Sequence, residues 1–229
     1  MGVLDGKVAV IAGGSGGFGE SAAIRYRDEG ATVWIAARDE ARGEACAERL
    51  GIRFHRCDIT RSQDVKNLAE AVIADSGRID IAVNSAGYED RCEFSLLEAE
   101  RVERMVAVQF TGALYWIQHM ANAMEHGGSL ITVGSLTATL TADGYAPYAG
   151  AKAGVNHATR IAAAEFGPKG VRVNVVSATL VETPMTENLI NAPGVRKAFV
   201  DETPLGRFGV IDDIVNAIYW LSTDESKFV

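Results

Sequence analysis

Short runs of consecutive apolar residues recur along the chain, separated by stretches whose apolar positions repeat every three or four residues. The runs are Val8-Ala9-Val10-Ile11, Val33-Trp34-Ile35-Ala36 and, interrupted by Asp80 alone, residues 79–83; residues 52–57, 128–133 and 171–176 are further strand-like stretches that mix apolar with polar positions. All six read as strands, and the helix signals between them argue for a parallel sheet covered on both faces. The intervening stretches predict helices over 20–28, 39–50, 147–166 and 212–221. Thr60-Arg61-Ser62-Gln63 and Ser95-Leu96-Leu97-Glu98 have the spacing of capping boxes, the second opening a long helix towards His126. The stretch holding Pro184, Pro193 and Pro204 reads as irregular. Regular alternation of strand and helix predicts one α/β domain over 1–229, a doubly wound parallel sheet with helices on both faces. No repeat, low-complexity segment or linker divides it.

In such sheets ligands bind outside the carboxyl ends of the strands. The first apolar run leads directly into Ala12-Gly13-Gly14-Ser15-Gly16-Gly17-Phe18-Gly19 and then a helix. That is a Rossmann-like β-loop-α unit, whose backbone N–H groups and helix dipole suit a pyrophosphate. Glycine is required where the turn is tight, where phosphate approaches the backbone and where helix meets strand. Arg38 follows the second strand, Asp58 the third, Asn84 to Gly87 the fourth, Ser135 the fifth and Ala178 to Thr183 the sixth. Six strand ends therefore bring their chemistry to one crevice.

Tyr148-Ala149-Gly150-Ala151-Lys152 sets an ammonium and a phenol on one helix face, because positions i and i+4 are neighbours there. A phenol ordinarily titrates near pH ~10. A cation at ~4 Å, at an effective dielectric of about 20, favours the phenolate by roughly 4 kcal/mol before desolvation is counted. That is the scale needed to make a tyrosine proton useful.

Composition narrows the function by exclusion. A net charge of −8 without a dense Lys/Arg run argues against a nucleic-acid surface. No apolar stretch has the length of a membrane span, and the first strand begins too early for a signal peptide. Cys46, Cys57 and Cys92 lack CxxC spacing and read as reduced thiols of a cytoplasmic protein. His55, His119, His126 and His157 show no metal-ligand spacing, so no metal is expected.

With these motifs the chain resembles the short-chain dehydrogenase/reductase family, from Gly6 to Val229. The resemblance implies hydride transfer between NAD(P) and a secondary alcohol or ketone. It places Gly13, Ser15, Gly17, Phe18 and Gly19 in the cofactor phosphate loop, Asp58 at the adenine amino group with Ile59 beside it, and Ser85 and Gly87 along the cofactor. Ser135 matches the hydroxyl that polarises the substrate carbonyl, and Tyr148 the general acid/base. Lys152 matches the residue that holds the nicotinamide ribose and lowers the tyrosine pKa, while Val181 and Thr183 match carboxamide contacts. A variable lid at about 183–207 and the loop 88–94 are expected to line the substrate pocket, with Thr137, Tyr145 and Met185 as wall residues. Arg91 and Arg196 stand ready for an anionic substrate, although an uncharged alcohol or ketone is the simpler expectation.

The sequence departs from the family in several places. The usual Asn-Asn-Ala-Gly reads Asn84-Ser85-Ala86-Gly87, and the usual Ser-Pro-Gly reads Ser177-Ala178-Thr179. Gln109 stands where the family has a catalytic asparagine, either holding a relay water differently or weakening the relay. The sequence ends at Phe228-Val229, before the family's last strand and glycine-bearing tail. At the end of the second strand Ala37 and Arg38 replace the acid that would repel a 2′-phosphate, favouring NADP with NAD open. Gly16 leaves the loop without the basic residue some NADP enzymes carry there. The resemblance also implies a homodimer or homotetramer paired through helices 148–166 and 101–125. The alternative to an enzyme is a non-catalytic dinucleotide sensor or scaffold.

Overall fold

The computed structural model describes residues 2–183 and 186–229, and of Asn188 the backbone alone. Six parallel strands form one sheet in the order β3-β2-β1-β4-β5-β6. They are β1 (Val8–Ala12), β2 (Thr32–Ala37), β3 (Arg53–Arg56), β4 (Ile81–Asn84), β5 (Gly128–Ser135) and β6 (Val171–Ala178). The order reverses between β1 and β4, which opens a crevice at their carboxyl ends. The chain is thus the doubly wound, Rossmann-like domain expected.

Alternation along β1 shows how the sheet is buried. Val8, Val10 and Ala12 face one layer with Trp34, Leu68, Trp116 and Met120, whereas Ala9 and Ile11 face the other with Ala22, Tyr26, Ile35 and Ile218. The first layer is built from α3 (Ser62–Ser76), α5 (Gly112–Ala123) and α6 (Ala146–Phe166); the second from α1 (Gly17–Asp28), α2 (Glu40–Leu50) and α9 (Ile211–Ser222). Ala22 and Ala23 are fully buried, so α1 lies close on the strands.

Neither capping box forms. The Asp58 carboxylate accepts hydrogen bonds from the Thr60 backbone N–H (3.0 Å) and hydroxyl (2.8 Å), so Thr60 belongs to a local turn and α3 begins at Ser62. Ser95 lies in a 3-10 turn, Phe94–Leu96, and the next helix, α4, starts only at Ala99 and ends at Val106. The long helix expected here is broken by a π turn, Ala107–Thr111, that leads into α5 and contains Gln109. The proline-containing stretch is less irregular than expected, since it holds α7 (Glu187–Ile190) and α8 (Val195–Glu202).

β6 runs two residues beyond the expected end. Ser177 and Ala178 pair with Gly134 and Ser135. The departure from Ser-Pro-Gly thus begins inside a strand, since Ala178 lies in register with Ser135 where proline would restrict the backbone. Among the described residues no helix is long and apolar enough to cross a membrane.

Candidate active site

At the crevice a cavity of about 380 Å³ is lined by Ser135, Tyr148, Lys152, Gln109, Val181 and Thr183, among others. A second cavity, of about 570 Å³, continues along the sheet top between Gly13, Ser15, Ala37, Arg38, Asp58 and Ile59. Ala86, Gly87 and Tyr88 line both, so the two are halves of one groove. A third depression, of about 660 Å³, lies at the opposite, amino-terminal ends of the strands, and two of its cations, Lys7 and Arg78, are already paired with Asp80.

The glycine loop is shaped for close approach. Gly13 has φ +71°, and a Cβ there would come within 2.8 Å of the Ala86 N–H nitrogen. Gly19 is buried against the Gly13 carbonyl and the Ser85 hydroxyl, with no room for a side chain. Gly17 opens α1, and Phe18 faces the 380 Å³ cavity. Ser85 does something the sequence did not indicate: its hydroxyl donates to the Ala12 carbonyl (2.8 Å), tying the ends of β1 and β4 across the switch point. Asn84 accepts from the Ala86 N–H at 3.1 Å and fixes the same turn. Asp58 uses Oδ1 on Thr60, leaving Oδ2 without a protein partner.

Arg42 is the residue that sequence reasoning missed. Asp39 caps α2 by accepting the Arg42 backbone N–H (3.0 Å), and the Arg42 side chain reaches back to donate from Nε to the Ser15 carbonyl (3.1 Å). A side chain on Gly16 would collide with this guanidinium. The cation absent from the loop sequence is thus supplied in space from α2. Among the described residues neither Arg38 nor Arg42 has a carboxylate within 4.0 Å. The signal for Arg42 was its place three residues after an Asp N-cap, which aims it back over the loop. These residues fit a dinucleotide: an open cradle with two guanidinium groups that form no ion pair, beside the carboxylates of Asp39 and Asp58, at the end where adenosine phosphates would lie.

In the other half, α6 brings Tyr148 and Lys152 onto one face, with Nζ 5.6 Å from the Tyr148 ring centroid. Lys152 is 6% exposed and donates to the Val133 carbonyl (2.8 Å). Burial without a paired carboxylate lowers its pKa to about 8. Tyr148 is raised above 10.0, chiefly by desolvation; the nearby Ser135 hydroxyl pulls it down and the Glu89 charge pushes it up. Lysine-driven acidification of the phenol is therefore not what the protein side chains alone produce, because burial acts on both groups and Nζ is turned to a carbonyl. Ser135, 9% exposed at the end of β5, shares its hydroxyl with Thr137 Oγ1 (2.9 Å).

Gln109 donates from Nε2 to the Tyr88 carbonyl (2.6 Å), and its Oε1 is buried with no protein partner. Val181 is bridged to Gly209, and the Thr183 N–H donates to Thr186 Oγ1 (3.0 Å). Thr137 and Tyr145 line the cavity as expected. Met185 and Pro184 lie outside the described residues. Arg91 and Arg196 do not line it: Arg91 donates to the Asp143 carbonyl, and Arg196 pairs with Glu182 and lies over Phe208.

Fold and groove together define a dinucleotide-binding α/β oxidoreductase. The family model described as enoyl-(acyl carrier protein) reductase matches residues 12–229. D-threitol dehydrogenase of Mycolicibacterium smegmatis is 32% identical over 99% of this chain and 89% of its own length. The mitochondrial borneol dehydrogenase of Lavandula x intermedia is 34% identical over 99% and 87%. A short-chain type dehydrogenase/reductase from Mycobacterium ulcerans superposes with TM-score 0.96 at 27% identity, covering 99% of this chain and 86% of that one. The chain belongs to the short-chain dehydrogenase/reductase family, and it is an NAD(P)-dependent oxidoreductase acting on alcohol and carbonyl groups.

Proposed function

We propose that the chain oxidises secondary alcohols, or reduces the matching ketones, with NADP(H), using Tyr148 as general acid/base, Ser135 as hydrogen-bond donor to the reacting oxygen and Lys152 as the cation beside them. The observation that carries this is the convergence of the three side chains on one cavity continuous with the glycine-loop groove. A bound nicotinamide supplies the hydride acceptor. In the oxidation direction the alcohol proton passes to the Tyr148 phenolate oxygen as the C–H bond breaks, and in reduction Tyr148 returns it. Ser135 donates to the oxygen as charge develops there. Lys152, buried and pinned to Val133, holds positive charge next to the phenol at neutral pH. Gly13, Ser15, Gly17, Phe18 and Gly19 would cradle the pyrophosphate, with Asp58, Ile59, Ser85, Gly87, Val181 and Thr183 along the cofactor. The preference for NADP rests on Arg38 and Arg42, whose guanidinium groups lack carboxylate partners while Ala37 brings no repelling charge.

The test is Tyr148→Phe. Turnover on a panel of secondary alcohols should fall by about a thousandfold while NADPH binding, followed by nicotinamide fluorescence, persists. Near-normal turnover would end the assignment of the acid/base. Three free thiols suit the cytoplasm, and Ile161, half exposed on α6, suits a dimer or tetramer formed through α5 and α6. Light scattering of the purified chain tests that assembly.

A further inference from the structure

The substrate half of the groove has a charge pattern that the catalytic trio does not use. Its charged lining residues are Glu89, Lys152 and Glu202. Lys152 is committed to Val133 and to the phenol, and Glu202 stands exposed at the rim. Glu89 is half-buried and faces the reacting centre: its Oε2 lies 3.5 Å from the Tyr145 hydroxyl, and the Tyr145 ring meets that of Tyr148 edge-on at 6.0 Å between centroids.

The loop is built so that this carboxylate stays there. Gln109 holds the Tyr88 carbonyl on one side. On the other, Asp90 is paired with Arg101, Arg91 donates to the Asp143 carbonyl (3.1 Å) and the Cys92 N–H donates to the Gly144 carbonyl (2.9 Å). Every neighbour of Glu89 is tied down, and Glu89 alone has no strong partner. A contact of 3.5 Å is at the limit of a hydrogen bond, and among the described residues no cation lies within 4.0 Å of it. Burial pushes its carboxyl up, the direction expected of an acid short of donors. Leu136, Leu140, Leu189 and Phe199 supply an apolar part of the wall, and the other polar lining residues, threonines for the most part, are uncharged.

We propose that Glu89 selects alcohols that carry a second hydrogen-bond donor, a hydroxyl or an ammonium, next to the reacting carbinol: vicinal diols and 1,2-amino alcohols on an apolar body. The inference rests on the oxidoreductase reading, and it excludes anionic alcohols, for which the cavity offers a carboxylate and no uncommitted cation. A neutral alcohol without the extra donor would leave a half-buried carboxylate unsatisfied, and that penalty is the source of the discrimination.

The experiment compares 1-phenylethane-1,2-diol and 2-amino-1-phenylethanol with 1-phenylethanol, with NADP+ as oxidant. In the unmodified protein kcat/KM for the diol and the amino alcohol should exceed that for 1-phenylethanol by about tenfold or more. In Glu89→Leu the ratio should collapse to within about threefold. Equal rates in the unmodified protein, or the same ratio in the variant, would overturn the proposal. Should Glu89→Leu lack a cooperative melting transition, Glu89→Gln decides: a neutral amide still accepts from hydroxyl but loses the attraction for ammonium. The amino alcohol-to-diol ratio should then fall about tenfold, and an unchanged ratio would count against Glu89. If no alcohol is oxidised, the oxidoreductase reading fails by itself. Titration calorimetry of the same three compounds into the NADP+-saturated Tyr148→Phe protein, with and without Glu89→Leu, then reads the donor preference without turnover; no preference there overturns it.

Discussion

The two halves of the groove are chemical opposites. The glycine-loop half is open and carries charge of both signs, the unpaired guanidinium groups of Arg38 and Arg42 beside the carboxylates of Asp39 and Asp58. The half around Tyr148 is walled by leucines, phenylalanine and threonines, and its inward-facing unpaired charge is the carboxylate of Glu89, with Glu202 exposed at the rim. A solvated arginine contributes by attracting phosphate over a distance and forking onto it. A buried lysine, phenol or carboxylate contributes by being short of partners, so its pKa moves and its demand for a hydrogen bond becomes selective. The first half recognises a ligand by charge that is cheap to keep in water. The second half acts through groups whose burial costs stability.

Lys152→Met separates those two kinds of site most sharply. Removing the ammonium should lower kcat by about a hundredfold or more, since Tyr148 loses its neighbouring cation. The same change should stabilise the fold. A lysine pKa lowered from 10.5 to about 8 corresponds to roughly 3 kcal/mol spent on burying the charge, partly offset by the bond to Val133, so a net gain of about 1–3 kcal/mol is expected at neutral pH. The sign follows from linkage: below pH about 8 both folded and unfolded chains carry the proton and the cost is fully present; between about 8 and 10.5 the folded chain has lost it and the cost fades. Urea unfolding of both proteins at neutral pH and near pH 10.5 should show a stability difference that shrinks with pH. A variant less stable than the parent at neutral pH would break the contrast.

Arg38→Ala with Arg42→Ala probes the other half and should leave stability nearly alone, because both side chains are exposed. Affinity for adenosine 2′,5′-bisphosphate should drop about tenfold to a hundredfold, and affinity for AMP much less. Raising salt should weaken the parent more than the variant. Equal losses for both nucleotides would place Arg42 on the pyrophosphate instead of the 2′-phosphate.

The sequence made the fold legible because the central strands β1, β2 and β4 are nearly unbroken apolar runs alternating with helix signals, and it made the trio legible because Tyr148 and Lys152 are four residues apart on one helix. Helix starts were harder. Thr60 looks like an N-cap, but the Asp58 carboxylate competes for its donors, and that competition depends on a turn conformation. Arg42 and Glu89 were harder still. Each matters through what lies across from it, the Ser15 carbonyl in one case and the Tyr145 hydroxyl in the other, 27 and 56 residues away. The direction of the Tyr148 shift was also beyond reach, since spacing shows the neighbouring cation but not the depth of burial.

Gln109→Asn is expected to have the smallest effect, and it bears on how the halves are joined. Gln109 sits in the π turn before α5, directly behind Gly87, where a Cβ would come within 2.8 Å of its Nε2. From there its amide reaches the Tyr88 carbonyl, the residue that lines both cavities and precedes Glu89. Asparagine is one methylene shorter, so the same backbone position falls short of that carbonyl by about 1.5 Å. The part-buried carbonyl would lose its donor, at a cost of about 1 kcal/mol in thermal or urea unfolding. Because Asp90 and Arg91 still anchor the far side of the loop, Glu89 should shift only slightly, and kcat/KM should fall about threefold through KM more than kcat. If kcat instead rose at constant stability, the extra methylene would be a restraint on the proton relay, and Gln109 would belong to the chemistry of Tyr148 instead of to the support of the substrate loop.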